Sequence, residues 1–306
     1  MRRLALYPFS LLYGAVIWLR NRCFDLQIFK TQRIEGKAIC VGNLAVGGTG
    51  KSPHAAYLIE LLSPNYPLQV LSRGYGRKTR GFILLDEKST PQEVGDEAFM
   101  LHESYQSLAQ FAVCEKRITG VERLRKIQPN SVILLDDAFQ HRWIQAGLNL
   151  VLSTYSQAPD QDQLLPAGLL REPISGLQRA SALVVTKCPS FDTFDSKAYA
   201  RRFEKWPIPV FFSRYQYQPL TCLTRSVENI DNVLIVSAIA KPKHLEDAFA
   251  QNVKIRRKSY ADHHNYTPAD KAAIHQFFDT FATANSAIVT TAKDWVKIQS
   301  LLSAED

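Results

Sequence analysis

The stretch Val41-Gly42-Asn43-Leu44-Ala45-Val46-Gly47-Gly48-Thr49-Gly50-Lys51-Ser52-Pro53 decides the fold. It follows an apolar, β-like run from Ala38 to Val41 and precedes an amphipathic helical pattern from His54 to Leu62. Strand, glycine loop and helix, in that order, are the setting that a phosphate-cradling loop requires. Glycines let backbone N–H groups turn toward phosphate oxygens, and the helix N-terminus adds the positive end of its dipole. The eight-residue frame is Ala45, Val46, Gly47, Gly48, Thr49, Gly50, Lys51 and Ser52, with Ala45 where the strict pattern has glycine. Lys51 is placed to reach the β- and γ-phosphates, and the Ser52 hydroxyl to ligate Mg²⁺. The stretch predicts a nucleoside triphosphate site; a plain glycine turn with a solvated lysine is the alternative.

The chain has 306 residues, 46% of them hydrophobic and 22% charged, which suits roughly two folded domains and argues against wholesale disorder. Its five cysteines are scattered and form no C-x-x-C pair, so neither a disulfide framework nor a cysteine zinc site is expected. Positive charge concentrates at the start. Residues 1–37 hold seven basic side chains against two acidic ones, five of the formal net charge of +8. Between Arg3 and Arg20 lie sixteen uncharged residues, fewer than the ~20 a bilayer span needs. Arg20-Asn21-Arg22 follows where a signal peptide would carry a small-residue cleavage site. The segment of about residues 1–22 therefore reads as a helix lying in a membrane interface, with arginines near anionic headgroups. Packing on the protein's own core is its rival. No basic face interleaved with aromatics suggests nucleic acid, and no obligate protein partner is evident.

After the loop, apolar runs alternate with helical patterns. Strands are expected at Leu68 to Leu71, Phe82 to Leu85, Phe111 to Cys114, Val132 to Leu135, Leu148 to Leu152 and Leu183 to Thr186, with helices at Asp96 to Tyr105 and Lys116 to Ile127. This is the pattern of an α/β fold, a mostly parallel sheet with helices on both faces. A break at Trp206-Pro207-Ile208-Pro209 is followed by two β-like runs, Val210 to Tyr217 and Thr221 to Thr224. They suggest a two-stranded linker, residues 208–224, between a P-loop domain, 1–207, and a smaller α/β domain, 225–306. In that smaller domain the β and α patterns alternate again from Val233 onward.

Polar motifs fall at the expected strand ends, where ligands of such sheets sit. Ser131 to Asp137 is an apolar run ending in Asp136 and Asp137, an arrangement that holds Mg²⁺ or its bound water. Gln140 and His141 follow at the same edge. Ser72-Arg73-Gly74-Tyr75-Gly76-Arg77 offers two guanidiniums for a phosphate ester. Gly95-Asp96-Glu97 opens a helix, where capping is the plainer role for Asp96. Leu169 to Pro173 adds Arg171 and Glu172, and Asp262-His263-His264 adds two histidines, for which, without a partner, a surface position is the plainer reading.

In this order, these motifs, together with Val185-Thr186-Lys187, resemble the tetraacyldisaccharide 4'-kinase family over nearly the whole chain. The departures are small: Ala138 where the family often has glycine, Ala98 where proline is common, and Ser52 for threonine. Ser237 to Ala240 also lacks a usual glycine. The resemblance implies a P-loop NTPase-like fold. It implies transfer of the γ-phosphate of ATP, with Mg²⁺, to the 4'-hydroxyl of a tetraacylated glucosamine disaccharide 1-phosphate. Action would be at the cytoplasmic face of the bacterial inner membrane. Lys51, Arg73 and Arg171 become candidates for transition-state charge; Ser52, Asp136, Asp137 and Glu172 for the metal; and Tyr75, Arg77, Gln140 and His141 for the substrate. Asp96 with His263 is the implied pair that activates the sugar hydroxyl. A regulatory P-loop NTPase, acting as a switch or metallochaperone, and a soluble small-molecule kinase are the competing functions.

Overall fold

The computed structural model describes residues 2–190, 192–217, 220–221, 230–239, 242–249, 253–262 and 264–302. The chain divides into two compact units, Met1–Tyr215 and Gln216–Asp306.

The first unit is built on an eight-stranded sheet. Its spatial order is Val210–Phe212, Ala182–Thr186, Leu148–Thr154, Ala38–Asn43, Val132–Asp136, Leu68–Ser72, Gln110–Val113 and Ile83–Leu84. Every pairing is parallel except the last, where Ile83–Leu84 runs antiparallel to Gln110–Val113 at the edge. The central strands Leu68–Ser72 and Val132–Asp136 are buried throughout. That is the condition a continuous apolar run satisfies in a sheet covered on both faces. The helices follow from connection handedness. The crossovers through Lys51–Leu62 and Asp96–Tyr105 step along the sheet in one direction, and these two helices touch each other. The crossover through Arg117–Ile127 steps back to Val132–Asp136, so right-handed connections put that helix on the opposite face.

The chain leaves Ala38–Asn43 toward Leu68–Ser72 on one side and later builds Leu148–Thr154 on the other. A crevice opens at the carboxyl ends of strands where the winding reverses in this way. The glycine loop sits there. The loop strand is closely approached from one side: a methyl group on Gly42 would lie 2.5 Å from Phe139 Cβ, so only glycine lets the Asp137–His141 segment close on this strand.

The second unit is a three-stranded parallel sheet, ordered Lys254–Ser259, Asn232–Ser237, Ser286–Thr290, with the helices Pro268–Asp279 and Ala292–Ile298. Pro268–Asp279 begins at a reciprocal cap, in which Thr267 and Asp270 each accept from the other's backbone N–H.

One expectation is corrected. Val210–Phe212 is no linker strand: it pairs in parallel with Leu183–Val185 as an edge of the main sheet. The first compact unit accordingly runs to Tyr215 rather than to residue 207. Alternating apolar residues mark a strand but not which neighbour it chooses. The second expected linker strand falls almost wholly on residues outside the described ones.

Candidate active site

The loop's conformation is fixed by its glycines and by side chains from three strands. Gly47 and Gly50 have φ of 103° and 91°, in the left-handed region where a side chain is strained. Helix Lys51–Leu62 starts immediately after Gly50, so Lys51 and Ser52 lie in its first turn, where N–H groups lack helical partners. Asn43 Nδ2 donates to Thr49 Oγ1 at 2.9 Å, and Thr186 Oγ1 donates to the Thr49 carbonyl at 2.8 Å. His54 binds the Gly50 carbonyl through Nδ1 at 2.8 Å and Ser213 Oγ through Nε2 at 3.1 Å. The near side of the loop pairs with Leu169–Arg171: Val46 N donates to Leu169 O at 2.8 Å, and Arg171 N to Leu44 O at 2.7 Å.

That pairing brings Arg171 to the acidic strand end. Asp137 has φ 46° and accepts from Arg171 Nη1 at 3.1 and 3.2 Å, while Lys51 Nζ stands 3.6 Å from its Oδ2. Asp136 is buried; its Oδ2 accepts from the Ser72 hydroxyl at 3.1 Å. Burial, with the charges of Glu97 and Asp137, raises its carboxyl to about 6 against the opposing pull of Lys51. Below the strand end, the buried Arg117 donates to the carbonyls of Cys114 and Asp136.

The metal expectation has a structural test. Asp136 Oδ1 is buried without a hydrogen-bond partner, in a site where negative charge is already costly. A divalent cation satisfies such an oxygen and reverses the electrostatic penalty. No group of three His, Cys, Asp or Glu side chains among the described residues forms a metal cage. Mg²⁺ needs none, because it is usually held by one or two carboxylates, water and substrate phosphates. Asp136 therefore fits this ion, and Ser52, in the first turn of helix Lys51–Leu62, is its candidate co-ligand by motif.

Other expected site residues are placed differently. Arg77 turns inward, its side chain 2% exposed, to pair with Glu115 at 2.6 Å and donate to Gly81 O. These contacts staple its own loop. Gln140 donates to Asn43 O and Glu172 Oε1, and Glu172 is buried and ion-paired with Arg179. Each Glu172 oxygen thus accepts from a protein donor, Gln140 on one and Arg179 on the other. Arg73 and Tyr75 are exposed on the loop after Leu68–Ser72, Tyr75 by 80%. Asp96 opens helix Asp96–Tyr105 half-buried, and a methyl group on the preceding Gly95 would lie 2.7 Å from Tyr75 O, so Asp96 adjoins that loop. His141 is held near pH 4 by burial and by the charges of Arg117, Arg73 and Arg20. His263 lies outside the described residues. Glu97, Arg117 and Thr186 join the site without a sequence reading of their role there; only their places at strand and helix ends could have signalled it.

Helix Arg2–Asp25 borders this region. Ser10 Oγ donates to Leu164 O and accepts from Ala167 N, Tyr13 OH donates to Arg171 O, and Arg20 Nη2 donates to Gln140 O. A cleft of about 250 Å³ lies among Tyr13, Ile17, Arg20, Gln140, Arg171 and Glu172. A larger cavity, about 410 Å³, lies beside the start of strand Gln110–Val113 and contains none of the loop residues. The outer side of the helix exposes Phe9, Leu12, Val16, Trp18 and Leu19, each by 59% or more. No helix among the described residues is long and apolar enough to cross a membrane.

The profile of the family described as tetraacyldisaccharide-1-P 4'-kinase matches residues 2–306. A tetraacyldisaccharide 4'-kinase of Phocaeicola vulgatus is 38% identical over 96% of this chain and 84% of its own. One of Flavobacterium psychrophilum is 36% identical over 99% of this chain and 90% of its own. The crystal structure of "apo" form LpxK from Aquifex aeolicus in complex with ATP superposes with a TM-score of 0.75 at 28% identity, covering 98% of this chain and 91% of that one. With its phosphate loop, acidic strand end and full-length match, the chain belongs to the tetraacyldisaccharide-1-P 4'-kinase family.

Proposed function

We propose that this protein transfers the γ-phosphate of ATP to the 4'-hydroxyl of a tetraacylated glucosamine disaccharide 1-phosphate. The observation that carries the reading is the convergence of Lys51, Arg171, Asp136 and Asp137 on one glycine loop at the strand ends, in a chain of this family. Asp137 supplies the counter-charge for Lys51 and Arg171. A triphosphate seated on the loop amides presents stronger anionic oxygens to both cations, so Lys51 and Arg171 exchange carboxylate for phosphate. Phosphoryl transfer needs little covalent help and depends on positioning and on charge stabilisation. Lys51 and Arg171 provide both, and Arg73 on the exposed neighbouring loop adds a third cation. Asp136 and Ser52 are the residues that would hold Mg²⁺, which when bound would offset phosphate charge.

The acceptor hydroxyl must lose a proton. Asp96 is the carboxylate we assign to it, on the same edge as Arg73 and Tyr75; His263 is its partner by family resemblance. The disaccharide is assigned to the cleft beside Arg171, where Tyr13 and Arg20 of the first helix meet the site. The apolar outer side of that helix suits the acyl region of a membrane, which supports action at a membrane surface by a peripherally bound enzyme.

The test is product formation from ATP and the purified 1-phosphate acceptor, followed as the bisphosphorylated glycolipid. Lys51→Ala is expected to lower kcat at least ~100-fold, the scale of one lost electrostatic group, with an unchanged melting curve. Wild-type turnover in that variant removes Lys51 from the mechanism.

A further inference from the structure

We propose that His54, anchored by Ser213, is a positioning residue for ATP: it grips the Gly50 carbonyl and thereby aims the Lys51 N–H at the triphosphate. This rests on the reading of the loop as an ATP site. It adds a residue that lies outside the loop frame, which ends at Ser52.

A phosphate loop works through successive N–H groups that point inward together. A planar trans peptide holds its C=O and its N–H on opposite sides. Whatever fixes the Thr49 carbonyl therefore aims the Gly50 N–H, and whatever fixes the Gly50 carbonyl aims the Lys51 N–H. Thr186 Oγ1 does the first, donating to Thr49 O at 2.8 Å. His54 does the second twice over. Its backbone N–H donates to Gly50 O at 3.1 Å, and its Nδ1 donates to the same oxygen at 2.8 Å. The extra bond matters because Gly50, at φ 91°, has no side chain to restrict its rotation. The ring also lies against this residue: a methyl group on Gly50 would stand 3.5 Å from His54 Nδ1.

The ring is held from behind. A carbonyl only accepts, so Nδ1 carries the proton, and Nε2 of the neutral ring accepts from the Ser213 hydroxyl at 3.1 Å. Burial lowers the pKa of this imidazole and favours the neutral ring, against the opposing Gly50 hydrogen bond. Ser213 is fixed in turn by its own backbone. Its N–H donates to Val185 O at 2.8 Å, and its carbonyl accepts from Cys188 N at 3.0 Å. Both clamps on the loop thus trace to one pair of strands: Thr186 ends Ala182–Thr186, and Ser213 directly follows its neighbour Val210–Phe212.

The experiment measures the Kd of ATP and of inorganic tripolyphosphate for the full chain, with the melting temperature of each variant. The variants are His54→Ala, His54→Asn, Ser213→Ala and the double variant of His54→Ala with Ser213→Ala. His54→Ala is expected to weaken both ligands about 10-fold, the scale of one hydrogen bond to a charged group. The two ligands weaken together because the aimed N–H meets phosphate only. The asparagine amide nitrogen stands where Nδ1 stands, so His54→Asn is expected to bind ATP within ~3-fold of wild type. Ser213→Ala is expected to cost ~3-fold, and the double variant to bind no more weakly than His54→Ala, since Ser213 acts through the ring. Wild-type ATP affinity in His54→Ala, no recovery in His54→Asn, or additive losses in the double variant overturns the assignment. Where His54→Ala does not fold, unchanged ATP binding in Ser213→Ala overturns it. Wild-type protein that binds neither ligand overturns the ATP-site reading itself.

Discussion

Asp136 and Asp137 are adjacent in the chain and differ in what surrounds them. Asp137 sits in the left-handed region between two cations, whereas Asp136 is buried with one oxygen on Ser72 and one without a partner. If Asp136 helps hold Mg²⁺, the ion should raise the melting temperature of the ATP-bound protein, since a ligand bound only to the folded state stabilises it by mass action. Asp136→Asn is expected to abolish the Mg²⁺ increment; an increment of wild-type size would remove Asp136 from the metal set. His141 gives a second residue-level prediction. Its imidazole is kept neutral in the fold down to about 4, by burial first and then by Arg117, Arg73 and Arg20. The unfolded chain takes up the proton below about 6.5. This contribution to stability is therefore whole above that pH and is lost as pH falls toward 4. Discounted for partial solvent screening, it amounts to about 1 kcal/mol. Urea unfolding at pH 7.5 and pH 5 should show that loss in wild type and a smaller one in His141→Gln. The loop residues and Asp136 were legible because their motif is local in sequence. The directions of Arg77 and Glu172 were not legible, because a sequence shows a charge without its direction, and each faces an ion-pair partner within the protein.

At the scale of elements, helix Arg2–Asp25 reverses the usual arrangement of a surface helix. Ser10, buried to 4% exposure, faces the protein through two hydrogen bonds, while Leu12, Val16 and Leu19 face outward at 67%, 59% and 59%. A soluble helix normally buries its apolar stripe. Exposed apolar residues of this number call for a covering phase, and the short uncharged run flanked by arginines had already suggested a membrane interface. Replacing Leu12, Val16 and Leu19 by serine should leave the melting temperature within a few degrees of wild type. Partition onto anionic vesicles should fall at least ~100-fold, because three large apolar side chains no longer enter the interface. Aggregation relieved by the substitutions, with vesicle binding unchanged, would place the apolar face against protein instead. The strands of the main sheet were legible from apolar runs bounded by turns, with ends shifting by a residue or two. The edge strand Val210–Phe212 was not, because its partner Ala182–Thr186 is distant in sequence and only the folded sheet presents the free edge.

At the scale of the whole molecule, the winding of the sheet places its crevice where the loop strand's neighbours diverge, and the family match spans both compact units. The order of motifs along the chain, more than any one of them, made the activity readable: a phosphate loop alone indicates a triphosphate, and the apolar first helix is the segment we propose meets the membrane that carries the acceptor. The central claim is that these two features serve one reaction, phosphorylation of a membrane glycolipid. Its most direct test is to incubate the purified protein with γ-labelled ATP, Mg²⁺ and vesicles containing the tetraacylated disaccharide 1-phosphate, and then partition the products between chloroform and water. The account predicts label in a chloroform-soluble glycolipid carrying a new 4'-phosphate monoester. Label found only as free phosphate, or only in a water-soluble acceptor, would contradict it.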